Sequence, residues 1–469
     1  MPPHLHAPAL SIAPISHPLS ATVRVPGSKS LTNRALLVAA LAEGTTTLAN
    51  ALSSDDSRYF ADSLKRLGFS LEISDPQSLI SIHGLGGHIP ASRAELFVGN
   101  AGTAARFLTA MLTLGQGEYT LDGDARMRER PIGDLLAALN QLGANVEPVL
   151  TSPPQPPSPD PLGQERGEPK VEDPAKGGAG GEVCPPVRVI ASGLPGGRAT
   201  VAGDVSSQFL SGLLMVAPYA QSPVELIVEG GLNSKPYVDM TLAVMADFGA
   251  TVERDEYERF HIRPQHYHAI PEYAIESDAS AASYFFAASA ICGGMVRVLN
   301  ISRRSKQGDV AFLDVLAAMG CTIAEGKDWI EVTGPREPHE LIGVNVDMRD
   351  FPDTAQTLAA IAPFATSPTT IRGIASARLK ETDRVAAMCA ELARLGVSVT
   401  EHRDGLTIRP CRDIRPATVR TYNDHRMAMA FALMGLKILG IEIENPGCVS
   451  KTFPDYFEVL QYLRQHNPA

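Results

Sequence analysis

Net positive charge is missing from this sequence. Its 469 residues hold 41 Lys and Arg against 52 Asp and Glu, a net charge of −11, which argues against a general nucleic-acid binder. Paired cysteines are missing as well. Cys184, Cys292, Cys321, Cys389, Cys411 and Cys448 never form a CxxC pair, so they read as buried thiols of a reducing compartment and not as a disulfide frame. The 12 His include no HxxH or HExxH pair, so no metal site is expected. No long hydrophobic run exists either: the uncharged stretch 205–224 contains Ser206, Ser207, Gln208 and Pro218 and suits a core helix better than a membrane span. The first twenty residues lack a basic segment followed by an apolar one; they read as a ragged leader of a cytoplasmic protein. VRVPGSKS lacks the early glycine of a nucleotide-triphosphatase phosphate loop, and no G-x-G-x-x-G follows a strand.

A repeat is present. An amphipathic helix ending in glycine, then a short β-type run, recurs as SLKRLGFSLEI, ALNQLGANVEP, VMADFGATVER, VLAAMGCTIAE and ELARLGVSVTE. Gly68, Gly143, Gly249, Gly320 and Gly396 sit where a helix end needs a left-handed residue. DYFEVLQYLRQ is a sixth such helix without its glycine. Upstream of each lies a more apolar helix opened by a polar cluster: GSKSLTNR, GNAGTAAR, SSQFLSG, SDASAAS, DFPDTAQ and NDHRMAM. With Ser28, Asn100, Ser206, Asp278, Asp353 and Asp424 as markers, the spacings are 72, 106, 72, 75 and 71 residues. The excess in the second falls on 151–186, which carries eight prolines between Pro153 and Pro174 and then GGAGG. Such a composition cannot offset its ordering entropy, and the stretch reads as a disordered surface insert.

Six α/β units could form a solenoid or a pair of three-unit domains. FLSGLLMVAP, ASYFFAASAIC and MAMAFALMG are apolar nearly all round, which favours the second, with helices buried and sheets wrapped outside them. The helix starts then emerge together. Helix N-termini attract anions, and these carry Lys29, Arg34, Arg106, Gln208 and Arg426. The loops before the second helices add Arg126, Arg128, Arg130, Lys235, Lys380, Arg384 and Lys451. An acidic chain that gathers cations at equivalent repeat ends is expected to build a focused positive cleft for anions. Asp353 and Glu381 lie among these cations and suit proton transfer; Asp278 reads as a cap and His425 as structural.

The motifs PGSKSLTNRALLVAALAEG, GNAGTAARFL, RMRERPIGDLLAAL, SSQFLSGLLM, SKPYVDMT, QGDVAF, LKETDRVAAM, YNDHRMAMAF and KTFPDYF together resemble the 5-enolpyruvylshikimate-3-phosphate synthase family, in order from about residue 22 to 457. The resemblance implies an α/β fold of two domains, each of three βαβαββ units with buried helices and outer sheets. It implies domains at 1–26 with 278–469 and at 27–277, the chain returning near Ser277. It implies enolpyruvyl transfer from phosphoenolpyruvate to the 5-hydroxyl of shikimate 3-phosphate, through a tetrahedral adduct, on the route to chorismate and aromatic amino acids. Lys29, Asn100, Gly102, Arg130, Gln208, Arg384, Arg426 and Lys451 are implied for phosphoenolpyruvate. Ser30, Arg34, Ser206, Ser207, Gln208, Ser234, Tyr237, Asp353, Ser376 and Lys380 are implied for shikimate 3-phosphate. Asp353 would be the base, with Glu381 and Lys29 handling the proton at the methylene carbon. No metal or organic cofactor, nucleic acid or membrane is implied, and the chain would act as a monomer. The sister transferases acting on UDP-N-acetylglucosamine use a loop cysteine, whereas Cys184 lies in no matching motif. Ala105, Phe107 and Ser376 depart from the common family pattern.

Overall fold

The computed structural model describes residues 9–149, 183–335 and 340–465. Among them are twelve α-helices: α1 Lys29–Leu41, α2 Asp55–Arg66, α3 Gly102–Leu112, α4 Gly133–Gln141, α5 Ser207–Val216, α6 Lys235–Asp247, α7 Ala279–Cys292, α8 Phe312–Ala318, α9 Ala355–Ile361, α10 Arg384–Arg394, α11 His425–Gly435 and α12 Tyr456–Gln465. Odd- and even-numbered helices differ as their side chains require. Every residue of α3, α7, α9 and α11 is buried, whereas α2 and α10 bury one face. The five repeat glycines all carry positive φ, between 81° and 102°, and so turn the chain from each even helix into its strand.

The repeat is clearest in the unit built from Arg93–Phe97, α3, Gln116–Asp122, α4, Val146–Pro148 and Val187–Ser192. Its first two strands pair in parallel, and the last two add as an antiparallel hairpin. The units beginning at Gly197–Ala202 and Asn345–Asp347 have the same order. Two further sheets exchange their first strands: Leu19–Val23 pairs in parallel with Gly294–Leu299, and Glu272–Ala274 with Glu43–Ala49. The chain therefore crosses between halves twice, and the crossings lie side by side. Ser28 N donates to Glu276 O at 2.8 Å, and Asp278 N to Pro26 O at 2.9 Å.

Two hydrophobic cores result. One spans Leu31 to Ile275; the other joins Ile12–Val25 to Ala279–Leu463. From residue 9 onward, the sixth sheet corrects the reading of the first twenty residues as a leader. Leu10–Ser11 pairs antiparallel with Glu442–Ile443, and Ile12 and Ile15 are buried. The edge of that sheet is a backbone template which this short segment covers. The insert's far boundary is also tighter than expected. Residues 151–182 lie outside the described residues, but Ile132 N donates to Val183 O and Val149 N to Pro186 O, both at 2.8 Å, and Pro185 and Pro186 are buried. Of the cysteines, Cys292 and Cys321 are buried, while Cys389, Cys411 and Cys448 are half-buried. No helix among the described residues is long and apolar enough to cross a membrane.

Candidate active site

The helix starts of both halves converge. Lys29 opens α1, Gly102 and Thr103 open α3, and Ser207 and Gln208 open α5; across from them stand Asp353, Lys380, Glu381, Arg384 and Arg426. All of these but Ser207, together with Arg130 and Asp56, line one cavity. A second cavity is lined by Ser30, Arg34, Ser207, Ser234 and Tyr237 and shares Lys29, Thr103, Gln208, Asp353 and Lys380 with the first. A third, with Ser206, Ser376 and Arg106 on its wall, again shares Gln208 and Lys380.

The first cavity is an ionic clamp. Arg384, 2% exposed, donates to Asp424 at 2.8 Å, Glu381 at 2.8 Å and Asp353 at 3.1 Å. Arg426 donates to the other Asp353 oxygen at 2.8 Å. Burial alone would raise the Asp353 carboxyl, but Arg426, Arg384, Lys380 and Lys29 hold it well below the usual carboxylate range. Glu381 behaves likewise: burial opposes ionisation, and Arg384, Arg130 and Lys451 overcome it. Burial pulls Lys380 down to about 8, partly offset by Asp353 and reinforced by Arg384. His425 is buried and held well below its usual value by burial, Lys29 and Arg426, so it stays neutral.

The second cavity holds a cation that has no carboxylate partner among the described residues. Arg34, 1% exposed, gives Nε to Thr241 Oγ1 at 2.7 Å and its other nitrogens to Ser30 O, Tyr237 O and Ser211 Oγ. Burial lowers it to about 10, and it remains charged at neutral pH among neutral acceptors. A buried guanidinium in that state favours an anion nearby.

Local structure explains the placements. Lys380 and Glu381 lie between a 3-10 turn and α10, where Asp383 caps Ala386 N at 3.0 Å and is itself held by Arg378. Ser206 caps α5 by accepting from Gln208 N, and Gln208 Nε2 donates to Thr103 Oγ1 at 3.3 Å. Lys451 reaches the site from the other half, donating to Asp56 at 2.8 Å and Asn100 O at 2.7 Å. Asn100 stands behind the clamp: its carbonyl and side-chain oxygens both accept from Arg130 Nη1, at 3.0 and 2.9 Å. The expectation of one cationic loop end is narrowed for three residues. Arg126 donates to Lys380 O across the halves, Arg128 pairs with Asp122 at the surface, and Lys235 lies over the Tyr257 ring. None of these three lines the cavities.

A side chain at Gly102 would displace Arg130. A Cβ built there would lie 2.2 Å from Arg130 Nη2 and 2.7 Å from Cζ, so the guanidinium would have to move. Gly102→Ala is therefore expected to raise the KM for an anionic substrate on Arg130 by on the order of tenfold, with kcat less affected. Steady-state kinetics checks it; an unchanged KM would show that Arg130 relocates without cost.

Comparison with known proteins agrees with this geometry. The family model for EPSP synthase (3-phosphoshikimate 1-carboxyvinyltransferase) matches residues 14–152 and 177–460, leaving out most of the proline-rich stretch. A 3-phosphoshikimate 1-carboxyvinyltransferase of Trichormus variabilis is 48% identical over 96% of this chain and 97% of its own length. One from Shewanella pealeana is 47% identical over 97% and 99%. The chain belongs to the EPSP synthase family. In fold it is similar to the solved EPSP synthase of Acinetobacter baumannii, with TM-score 0.74, 24% identity and coverage of 97% and 98%. The enolpyruvyl transferase NikO of Streptomyces tendae gives TM-score 0.72 at 18% identity, with 98% of both chains covered.

Reading this EPSP synthase family chain by sequence alone missed three acids. Asp56, in the first turn of α2, lies 2.8 Å from Lys451 and 3.5 Å from Lys29. Asp424 caps Arg426 N and also holds Arg384. Asp309 lies under Tyr237 at 3.0 Å. Their positions in helix starts were visible, but a first-turn acid is ordinary, and only tertiary packing shows which cation it faces.

Proposed function

We propose that this chain transfers the enolpyruvyl group of phosphoenolpyruvate to the 5-hydroxyl of shikimate 3-phosphate, releasing phosphate. In this reading Arg130, Arg384, Arg426, Lys29 and Lys451 grip phosphoenolpyruvate, with Gly102 and Gln208 beside it and Asn100 bracing Arg130. Arg34, Lys380, Ser30, Ser206, Ser207, Ser234, Tyr237 and Ser376 hold shikimate 3-phosphate. One observation supports the pairing above all: the Asp353 carboxylate lines both main cavities, where an attacking hydroxyl and an accepting carbon would meet.

The 5-oxygen adds to C2 of phosphoenolpyruvate while Asp353 takes the hydroxyl proton, and Lys29 delivers a proton to the methylene carbon. The tetrahedral adduct then loses phosphate, and Glu381, held ionised by its cations, takes a proton from the new methyl group to restore the double bond. Asp353 is a poor base while two arginines face it alone. Phosphoenolpyruvate on the same arginines shares their charge and raises the carboxyl toward a working range. Binding thus switches on the base, and closure of the two halves keeps water from the reactive centre.

The two cores support domains at 1–26 with 278–469 and at 27–277 that close on the anions. The site is complete within one chain, which supports a monomer, and the reading places it in the cytoplasm without metal or organic cofactor. The test follows phosphate release with both substrates and with each omitted. Release is expected only with both; release from phosphoenolpyruvate alone, or none at all, would refute the assignment.

A further inference from the structure

Two carboxylates face one phenolic proton beside the joined cavities. The Tyr237 hydroxyl lies 3.0 Å from Asp309 Oδ2 and 3.4 Å from Asp353 Oδ2, and a phenol has one proton to donate. Asp309 sits in the short turn Gly308–Ala311 that leads into α8 and is 4% exposed. Its other oxygen accepts from Ser280 Oγ, in the first turn of α7, at 2.8 Å. The turn is fixed by its neighbour: Gln307 accepts from Ala279 N at 2.9 Å and donates to Ser277 O at 2.7 Å. Asp309 is thus held by hydroxyls, whereas Asp353 is gripped by two guanidiniums. Burial and the nearby Asp353 charge raise the Asp309 carboxyl to about 6, against the pull of Arg426.

The shorter leg takes the hydrogen bond. With its O–H directed at Asp309, the phenolic oxygen turns a lone pair toward Asp353. A lone pair opposes a bare carboxylate there but accepts from a carboxyl that has gained a proton. We propose that Asp309 is a positioning residue: by accepting the Tyr237 hydroxyl's hydrogen bond it presents the phenolic oxygen to Asp353 as an acceptor, and so favours the form of Asp353 that has received the substrate's proton. The proposal rests on Asp353 being the base of the reaction above.

Asp309→Asn keeps the size and the Ser280 contact, but its amide can donate to the phenolic oxygen and free the hydroxyl proton for the Asp353 anion. The expected result is a kcat lowered about tenfold, with the KM for shikimate 3-phosphate changed less than about twofold. Tyr237→Phe is expected to lower kcat to a similar degree. Because both act through one hydroxyl, the double variant should lose about as much kcat as Tyr237→Phe alone. Full kcat in Asp309→Asn, losses that multiply in the double variant, or a loss confined to KM would each overturn the proposal. Should Asp309→Asn not fold, Ser280→Ala carries the same cycle, with a smaller kcat loss that vanishes in the Tyr237→Phe background. Asp353→Asn is measured beside them. Unchanged turnover there defeats the base reading itself, whereas collapse there with a silent Asp309→Asn defeats only the positioning role.

Discussion

Asp353→Asn is expected to lower kcat by about 10²–10⁴-fold while leaving shikimate 3-phosphate binding largely intact. The amide is nearly isosteric and its oxygen can still accept from Arg384 or Arg426, which lie at 3.1 and 2.8 Å from the carboxylate. What it cannot do is take a proton from the substrate hydroxyl. Binding should survive because the second cavity draws its charge from Arg34 and Lys380 and its neutral contacts from Ser30, Ser207 and Ser234. The first cavity even gains net positive charge when the carboxylate is lost, so the KM for phosphoenolpyruvate should not rise. Single-turnover kinetics with equilibrium binding separates the two terms. Turnover at the level of the parent would remove Asp353 from the base role; a loss confined to shikimate 3-phosphate affinity would make it a binding group.

How much of this was legible depends on the range of the signal. The helices were legible because their cues are local: five glycines at helix ends, all with positive φ, and six helix starts at nearly even spacing. Burial on all sides of α7 and α11 followed from side chains alone. The N-terminal strand was not legible, because Leu10–Ser11 spans two residues and carries no alternation; its partner lies at the far end of the chain. Arg126, Arg128 and Arg130 shared one loop and looked equivalent. The turn Met127–Glu129 separates them, sending Arg130 to Asn100 and Arg126 to the carbonyl of Lys380. Arg34 was legible as a cation, but that it meets no acid among the described residues rests on Thr241 and Ser211, two residues from later units. Site membership was readable wherever a motif opened a helix. The ionic pairing inside the site was not, since it joins residues such as Asp56 and Lys451 from opposite halves.

That pairing makes Arg384→Ala the substitution with the largest expected cost in stability. Its guanidinium meets three carboxylates, and the side chains of Glu381 and Asp424 are 6% and 0% exposed. Removing the cation leaves buried acids without a counter-charge, a change that costs about 3–5 kcal/mol near neutral pH. The pH dependence has a definite sign. In the parent, the Glu381 and Asp353 carboxyls are held below their unfolded values. Their contribution is therefore present above the ordinary carboxylate range and is lost as pH falls through the folded values. Without Arg384 the upward push of burial on both groups remains, while a principal downward one is gone. Their folded values rise, and the variant regains stability relative to the parent as acid protonates them. Urea unfolding of both proteins should then show a deficit that is largest at pH 7 and narrows toward about pH 4. A deficit below about 1 kcal/mol, or one that does not change with pH, would mean that Arg426, Arg130 and Lys451 neutralise these acids without it, and that the clamp is held by the cation cluster as a whole.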